Sequence, residues 1–422
     1  MNRILSSLLK ITFCLMCGCD EGVQEYPVSE ATKKQEIASA FVNSSQSARA
    51  PYVVLVSIDG FRHDYAQRYG ASHLLSFDVR AEGLIPSFPS KTFPNHYSIV
   101  TGLYPGNHGL VSNTFYDRSL GRIYEIGNRK EVEDPIWYKG KPIWALARAH
   151  GMVTASMMWV GTETPINGHY PTYYYKYNAG ISHEDRVNTV VNWLLLPEEK
   201  RPHFITLYFS DTDDVGHEFG PDSEEIEKAV LKMNDVIGDL RTKLQDTGLP
   251  VQLVLVSDHG MKSFDVDRLI RLSELLPELP QGTVMTKSIP AMIYSSQKDF
   301  LDSCFDILSN DDRLDVYRKG NCPDHFHYRD DSRIGDLVIV PKPGFQISEQ
   351  RDWVSGNSTH GYDPSATPDM NGIFYADGSF FRANHEIEAF ENIHIYPLMA
   401  HILGLKFDTI DGDPEVLQWI LK

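Results

Sequence analysis

Three apolar runs in the sequence end directly at acids and histidines, and a further histidine lies in a loop rich in glycine and serine. Carboxylate and imidazole groups together are ligands that suit zinc. In an open α/β sheet, binding sites lie beyond the carboxyl ends of the strands, so residues far apart in sequence can meet there. A single aspartate at a strand end is more often a turn former or a helix cap, and the prediction of a metal site therefore depends on the whole set. Its members are Asp59, Asp213, His217, Asp258, His259 and the loop residue His360.

Residues 89–96 place two hydroxyl groups, Ser90 and Thr92, beside a proline that favours a helix starting just after Thr92. Backbone N–H groups at a helix start attract anions. A hydroxyl is a weak nucleophile unless something such as a bound dication activates it. Without a metal cluster, either hydroxyl would instead be interpreted as a helix cap.

The elements that must position these residues are predicted from the apolar pattern. Helices are predicted over residues 142–150, with a proline at the first position, and over 223–247, where apolar residues recur at helical spacing. Because strands and helices alternate, we expect a mostly parallel sheet with helices on both faces. Short runs rich in β-branched residues predict buried strands at residues 52–58, 152–159, 203–209, 251–257 and 336–340.

The composition limits the classes of partner. The formal net charge of −18 argues against a nucleic-acid polymer as a stable partner, because tracking a phosphate backbone needs a basic surface. The net charge does not exclude small anionic substrates, because bound metal ions can reverse the sign of the charge locally. After the first residues, no apolar run is long enough to cross a membrane. No protein partner is predicted.

The first residues are typical of an export signal, with Arg3 ahead of an apolar stretch. We predict a signal peptide over residues 1–19, a tether over 20–50 and a single catalytic domain over 51–422. Cys19 follows a glycine, as does the lipid-acceptor cysteine of a bacterial lipoprotein, and the alternative is an ordinary cleaved signal. The predicted location is the periplasm of a bacterium, or its membrane through a lipid anchor.

Removal of residues 1–19 leaves Cys304 and Cys322 in the mature chain. In an oxidising compartment this pair favours a disulfide, which would stabilise the fold by roughly 3 kcal/mol. Two unpaired thiols are the alternative.

The ordered motifs resemble the nucleotide pyrophosphatase/phosphodiesterase family of the alkaline phosphatase superfamily, over residues 52–405. The resemblance implies an alkaline-phosphatase-like α/β/α sandwich with a mostly parallel central sheet and a metal site at the carboxyl ends of its strands. The motifs that carry it are residues 57–62, 88–96, 102–105, 108–109, 113, 213–217, 257–261, 360–361 and 390–393.

The resemblance also implies a role for each site residue. Thr92 would be the nucleophile and would form a phospho-threonine intermediate. Asn113 and the backbone N–H of the nucleophile would donate hydrogen bonds to a nonbridging phosphate oxygen. Two zinc ions would be bound, one by Asp213, His217 and His360, the other by Asp59, Asp258, His259 and the Thr92 oxygen.

The substrate is inferred from the neighbours of this site. Residues 159–163 contain no lysine or arginine where phosphate monoesterases of this type place basic residues, which favours diesters. The resemblance implies that Tyr177 and Tyr208 match positions where family members receive a nucleobase, and Phe93 beside Thr92 offers another stacking face. Each aromatic alone could instead be packing. The predicted function is hydrolysis of nucleotide phosphodiesters or pyrophosphates to nucleoside 5′-monophosphates. The alternatives are a choline-phosphodiester or lysophospholipid diesterase, a phosphate monoesterase and a non-catalytic binding protein.

Overall fold

The computed structural model describes residues 25–38, 41–329, 331–349 and 357–422. Short 3-10 helices connect some of its elements. The strands are β1 (Glu36–Ile37), β2 (Tyr52–Ile58), β3 (Val79–Ala81), β4 (Leu84–Ile85), β5 (Thr114–Asp117), β6 (Arg122–Glu125), β7 (Thr154–Met157), β8 (Tyr173–Tyr175), β9 (Phe204–Phe209), β10 (Val251–Val256), β11 (Lys262–Ser263), β12 (Val284–Thr286), β13 (Ala291–Tyr294), β14 (Leu314–Arg318), β15 (Leu337–Pro341), β16 (Ser358–Thr359), β17 (Phe374–Asp377), β18 (His385–Ile387) and β19 (Phe390–Glu391). The helices are α1 (Tyr65–Tyr69), α2 (Ser72–Leu75), α3 (Thr92–Thr101), α4 (Pro105–His108), α5 (Arg129–Val132), α6 (Ile143–Ala149), α7 (His183–Leu194), α8 (Asp211–Phe219), α9 (Glu224–Asp246), α10 (Leu272–Leu275), α11 (Lys298–Ser309), α12 (Ile395–Ile402) and α13 (Glu415–Gln418).

A nine-stranded sheet forms the centre of the molecule, in the order β1-β8-β7-β9-β2-β10-β17-β3-β18. The pairings from β8 through β7, β9 and β2 to β10 are all parallel. Antiparallel pairings join β1 to β8 and β17 to both of its neighbours. The prediction of a mostly parallel sheet is therefore confirmed.

Side chains of the central strands alternate between two apolar cores, one on each face of the sheet. Val53 and Leu55 of β2 face the core that contains residues of α3, α6 and α12. Val54 and Val56 face the core that contains residues of α7 and α9. Because successive side chains of a strand point to opposite faces, strands covered on both sides must be apolar throughout. This arrangement confirms the α/β/α sandwich.

The predicted elements match the observed ones closely. Helix α9 begins where Ser223 caps it by accepting a hydrogen bond from the Ile226 N–H at 3.2 Å. The strand predicted at 336–340 is β15, but it lies outside the central sheet. It belongs to a four-stranded antiparallel sheet, β12-β13-β15-β14, that packs with α11 around a separate small core. An apolar run indicates burial and does not specify which sheet it joins.

The predicted tether is wrong for the residues before 51 that the structure describes, because these pack on the domain. Strand β1 pairs with β8 at the edge of the central sheet. The Ser29 hydroxyl donates to Asp185 Oδ2 at 2.6 Å, and the Trp193 indole N–H donates to Gln35 Oε1 at 2.7 Å. The segment is held by these hydrogen bonds and by scattered apolar contacts of Tyr26, Ala31 and Phe41, so it needs no sustained apolar pattern. The predicted signal peptide and Cys19 lie outside the described residues.

The expected disulfide is not formed: Cys304 and Cys322 are both free and buried. Cys304 lies on α11 and packs in the small core, whereas Cys322 packs in one of the large cores. Burial raises the pKa of each thiol to about 11. Each cysteine is therefore a small apolar core residue. Within the described residues, no helix has both the length and the apolar character needed to cross a bilayer.

Candidate metal centre and substrate cavity

The acids and histidines predicted as metal ligands meet at the carboxyl ends of three neighbouring strands. Strands β9, β2 and β10 lie side by side in the sheet. Asp59 follows β2 directly, and Gly60 after it adopts a positive φ of 65°. A Cβ atom on Gly60 would lie 2.8 Å from Asp213 Cα, so only glycine allows this close approach. The ligands that follow β9, β10 and β16 are Asp213 and His217 on α8, Asp258 and His259, and His360.

The ligand atoms form two adjoining groups. In the first, Asp213 Oδ1 lies 3.5 Å from His217 Nε2 and 3.7 Å from His360 Nε2. In the second, His259 Nε2 lies 3.5 Å from Asp59 Oδ1 and 3.1 Å from Asp258 Oδ2. Asp59, Asp213 and His259 also have ligand atoms within 4.8 Å of one another. The two groups therefore share one pocket.

Each of the three imidazoles is oriented by a backbone carbonyl that receives a hydrogen bond from Nδ1–H. Fixing the proton on Nδ1 leaves the lone pair of Nε2 directed at the carboxylates. The three pairs are His217 with Ser358 O at 3.2 Å, His259 with Gly260 O at 2.8 Å and His360 with Ser90 O at 2.9 Å.

The electrostatics of the pocket fit bound cations. Asp59 Oδ1, Asp213 Oδ1 and Asp258 Oδ2 are buried and have no hydrogen-bond partner among the described residues. Burial, and next the neighbouring carboxylates, raise the pKa values of Asp59 and Asp258 well above their usual range. Burial also lowers the pKa values of His259 and His360 far below normal, so both stay neutral. Unpaired buried carboxylates beside neutral imidazoles are a donor set that a dication would satisfy.

Of the two candidate hydroxyls, Thr92 faces the ligands. Thr92 is the first residue of α3, and its Oγ1 lies 3.2 Å from His259 Nε2. Ser90 is buried, and its hydroxyl donates to Tyr362 O at 2.8 Å while accepting from the Gly361 N–H at 3.1 Å. Ser90 therefore connects the loop that leads into α3 to the loop that carries His360.

His96 is a site residue whose role the sequence analysis missed. Its Nδ1 lies 2.9 Å from Thr92 O and 3.3 Å from Asp258 Oδ2, and its Nε2 lies 2.8 Å from Ser57 Oγ. Because both ring nitrogens have protein partners, His96 positions Thr92 and Asp258. Its place four residues after Thr92 in the same helix is the signal that could have revealed it.

Three of the predicted substrate residues also have defined contacts. Asn113 Oδ1 accepts a hydrogen bond from the Phe93 N–H at 3.0 Å, which places the amide beside the start of α3 and leaves its NH2 group to donate. The Tyr208 hydroxyl donates to Asp59 Oδ2 at 2.6 Å, so this tyrosine supports a metal ligand as well as lining the cavity.

A cavity of about 410 Å³ opens from the metal pocket, a volume within the range of small-molecule sites. Asp59, Thr92 and Asp213 form one end. Between the ends lie three predicted aromatics and several apolar residues. Arg129 and Glu163 line the other end. Glu163 belongs to the segment 159–163 that the sequence places beside the site, whereas no motif in the sequence pointed to Arg129. The wall residues include Phe93, Tyr177, Tyr208, Ile126, Val132, Met158 and Val160.

Other acids and histidines lie outside the pocket. Asp211 pairs with His183 at 2.7 Å and with Lys232 at 2.9 Å, so Asp213 is the acid of this segment that faces the metal groups. His325 and His327 are exposed, and His325 pairs with Asp363 at 3.1 Å outside the metal groups.

Comparisons with known proteins agree with this site. The family model for type I phosphodiesterase / nucleotide pyrophosphatase matches residues 53–363. Ectonucleotide pyrophosphatase/phosphodiesterase family member 1 from Mus musculus is 33% identical over 88% of the chain and 43% of its own length. Venom phosphodiesterase 2 from Crotalus adamanteus is 33% identical over 88% of the chain and 47% of its own length. The chain thus spans less than half the length of these relatives.

Solved structures also match. Human ectonucleotide pyrophosphatase/phosphodiesterase 5 superposes with a TM-score of 0.83 at 31% identity, covering 88% of this chain and 99% of that one. An inactive variant of the murine protein, in complex with AMP, gives the same TM-score at 30% identity, covering 88% of this chain and 100% of that one. On this evidence, the chain belongs to the type I phosphodiesterase / nucleotide pyrophosphatase family of the alkaline phosphatase superfamily.

Proposed function

We propose that this protein is a two-zinc hydrolase that cleaves nucleotide phosphodiesters or pyrophosphates and releases nucleoside 5′-monophosphates. One observation carries the proposal: three buried carboxylate oxygens without a hydrogen-bond partner and three oriented imidazoles share a pocket with the Thr92 hydroxyl, at the end of a cavity with aromatic walls. The AMP complex of the similar murine protein supports a nucleotide as the substrate.

The residues present fit two zinc ions. Asp213, His217 and His360 would hold one ion, and the Thr92 oxygen would join the ligands of the other, Asp59, Asp258 and His259. When bound, such ions supply Lewis-acid chemistry, which makes a hydroxyl more nucleophilic and stabilises negative charge on phosphate and leaving-group oxygens.

The chain's own residues perform the remaining tasks. Thr92 Oγ1 forms a bond to phosphorus while the bond to the leaving alkoxide or phosphate breaks, and water then hydrolyses the phospho-threonine. The Asn113 amide NH2 and the backbone N–H of Thr92 donate to a nonbridging oxygen, which stabilises the charge that develops there. Phe93, Tyr177 and Tyr208 receive the base by stacking, so the phosphate is held at the metal end.

We further propose that residues 1–19 direct export and that residues 51–422 act as one catalytic domain. The apolar stretch after Arg3 and the placement of Cys19 support periplasmic release or a lipid anchor. Mass spectrometry of the mature N-terminus tests this: a diacylated Cys19 supports the anchor, and an unmodified first residue supports release.

A comparison of three chromogenic substrates tests the activity. Zinc-loaded protein should hydrolyse the p-nitrophenyl ester of thymidine 5′-monophosphate with a higher kcat/KM than either p-nitrophenyl phosphate or p-nitrophenyl phosphocholine. A preference for the monoester would contradict a diesterase, and a preference for the choline ester would replace the nucleotide by a choline diester. Absence of turnover with all three would indicate a binding protein.

A further inference from the structure

The end of the cavity away from the metal groups carries two charged side chains. Among the residues that line the cavity, Arg129 and Glu163 are the charged ones outside the metal end. They form an ion pair at 2.5 Å between Nη2 and Oε2. The surrounding walls are apolar or aromatic, so this pair determines which polar groups of a ligand are matched there.

Glu163 has little capacity left for a ligand. Its second oxygen, Oε1, accepts a hydrogen bond from the Tyr177 N–H, and its side chain is only 7% exposed. Each carboxylate oxygen is therefore already engaged by a protein donor. Glu163 holds both Arg129 and the backbone of Tyr177 in place.

Arg129, in contrast, keeps donors available. Its side chain is 43% exposed, and both of its ion pairs, with Glu163 and with Glu133 at 3.1 Å, involve Nη2. Among the described residues, Nε and Nη1 have no protein acceptor. Glu133 also pairs with Lys176 at 2.6 Å, which links α5 to the segment that carries Tyr177. The far end of the cavity therefore offers hydrogen-bond donors on a restrained guanidinium group.

We propose that Arg129 is a specificity-determining residue that selects nucleotides whose base carries a carbonyl oxygen at its outer edge, with guanine preferred over adenine. This inference rests on the proposed function and names its substrate class. Guanine presents O6 and N7, two acceptors that match an arginine bidentately, whereas adenine presents its N6 amino donor at the same place. Adenine N7 can still accept one hydrogen bond from Arg129, but the second bond of the bidentate pair is lost, and that lost bond supplies the discrimination.

The test compares guanosine and adenosine substrates on the zinc-loaded full chain. The p-nitrophenyl ester of guanosine 5′-monophosphate should have a kcat/KM about 10-fold above that of the adenosine ester, which is the scale of a hydrogen bond to a charged group. Arg129→Met, which keeps the length of the side chain without its donors, should bring this ratio close to one. Arg118→Met is the matched control, because Arg118 is 40% exposed and pairs with Asp336 outside the cavity; its ratio should equal that of the wild type.

Two results would overturn the inference: equal kcat/KM values for the two esters in the wild type, or a guanosine preference that persists in Arg129→Met. Calorimetric binding of GMP and AMP separates this failure from failure of the proposed function. If no ester is turned over, tighter binding of GMP that is lost in Arg129→Met still supports the role of Arg129, and equal binding of GMP and AMP contradicts it.

Discussion

The two ends of the cavity are constructed differently. At the metal end, Asp258 and His259 are buried, and backbone groups orient the imidazole. The far end, where the proposed function places the nucleobase, is called the base end. There, Arg129 and Tyr177 are 43% and 48% exposed. They are held by ion pairs and one backbone hydrogen bond between surface segments. The first arrangement is fixed by the core of the domain, and the second by charges that water and salt can reach.

This difference predicts which substitutions affect catalysis and which affect the choice of substrate. Electrostatic interactions are strong in a buried pocket, whereas exposed ion pairs contribute roughly 0–1 kcal/mol and weaken with salt. Changes at the metal end should therefore affect the turnover of every substrate. Changes at the base end should alter the choice among substrates.

The largest expected effect comes from Thr92→Ala, which removes the proposed nucleophile. Turnover should fall by at least about 10⁴-fold, the scale seen when a nucleophile is deleted. Zinc content should stay near normal, because the six acid and histidine ligands remain. In Asp258→Ala, both turnover and zinc should be lost. Zinc measured by mass spectrometry beside activity distinguishes the two variants.

Asp211→Ala is the matched control for Asp258→Ala. Asp211 is a nearby acid that pairs with His183 and Lys232 and does not face the metal groups. It should keep its zinc and its activity within a few-fold of the wild type. Loss of zinc in Asp211→Ala together with its retention in Asp258→Ala would reverse the ligand assignment.

A smaller and more selective effect is expected from Tyr177→Ala. Removing a stacking ring should reduce kcat/KM for nucleotide esters by roughly 1–3 kcal/mol, or about 5- to 150-fold. Methyl p-nitrophenyl phosphate, which has no base, should lose much less. Tyr170→Ala is the control, since Tyr170 stacks on Tyr174 and does not line the cavity. Equal losses for both kinds of substrate would show that Tyr177 does not receive a base.

The same contrast explains what the sequence could predict. The metal end was accessible because its ligands adjoin strands with a strong apolar pattern, as Asp59 follows β2 and Asp258 follows β10. Parallel strands bring such positions together whatever the intervening sequence. The same local signals predicted α6, α9 and the four adjacent strands β7, β9, β2 and β10 of the central sheet, but not its other five strands.

The features that were not predicted depend on contacts between distant residues, which no local sequence pattern encodes. Arg129 and Glu163 lie 34 residues apart and meet only because α5 packs beside the loop after β7. The N-terminal segment looked like a tether because its contacts, such as Ser29 with Asp185, join polar groups. Cys304 and Cys322 suggested a disulfide because sequence proximity does not show that they belong to different cores.

The smallest effect concerns a histidine that supports the metal end from a distance. His108 is buried, with Nε2 at 3.0 Å from Ser98 Oγ and 3.1 Å from Pro94 O, both on α3, the helix that starts with Thr92. Burial lowers the pKa of His108 from 6.5 to about 3. Between these values the unfolded chain binds a proton that the folded protein does not. The contribution of His108 to the free energy of unfolding is therefore fully present above pH 6.5 and is lost as the pH falls towards 3.

His108→Asn should remove this contribution, which amounts to at most about 1.4 kcal/mol per pH unit. Urea unfolding of EDTA-treated protein at pH 7, 6 and 5 measures it, since chelation keeps acid-induced metal loss out of the comparison. The variant should be less stable at pH 7 but should lose less stability than the wild type on acidification. His401→Gln, which changes an exposed imidazole on α12, should keep the wild-type slope. Identical slopes for His108→Asn and the wild type would mean that His108 binds its proton over the same pH range in the folded protein as in the unfolded chain, and that the helix bearing Thr92 does not depend on a neutral imidazole.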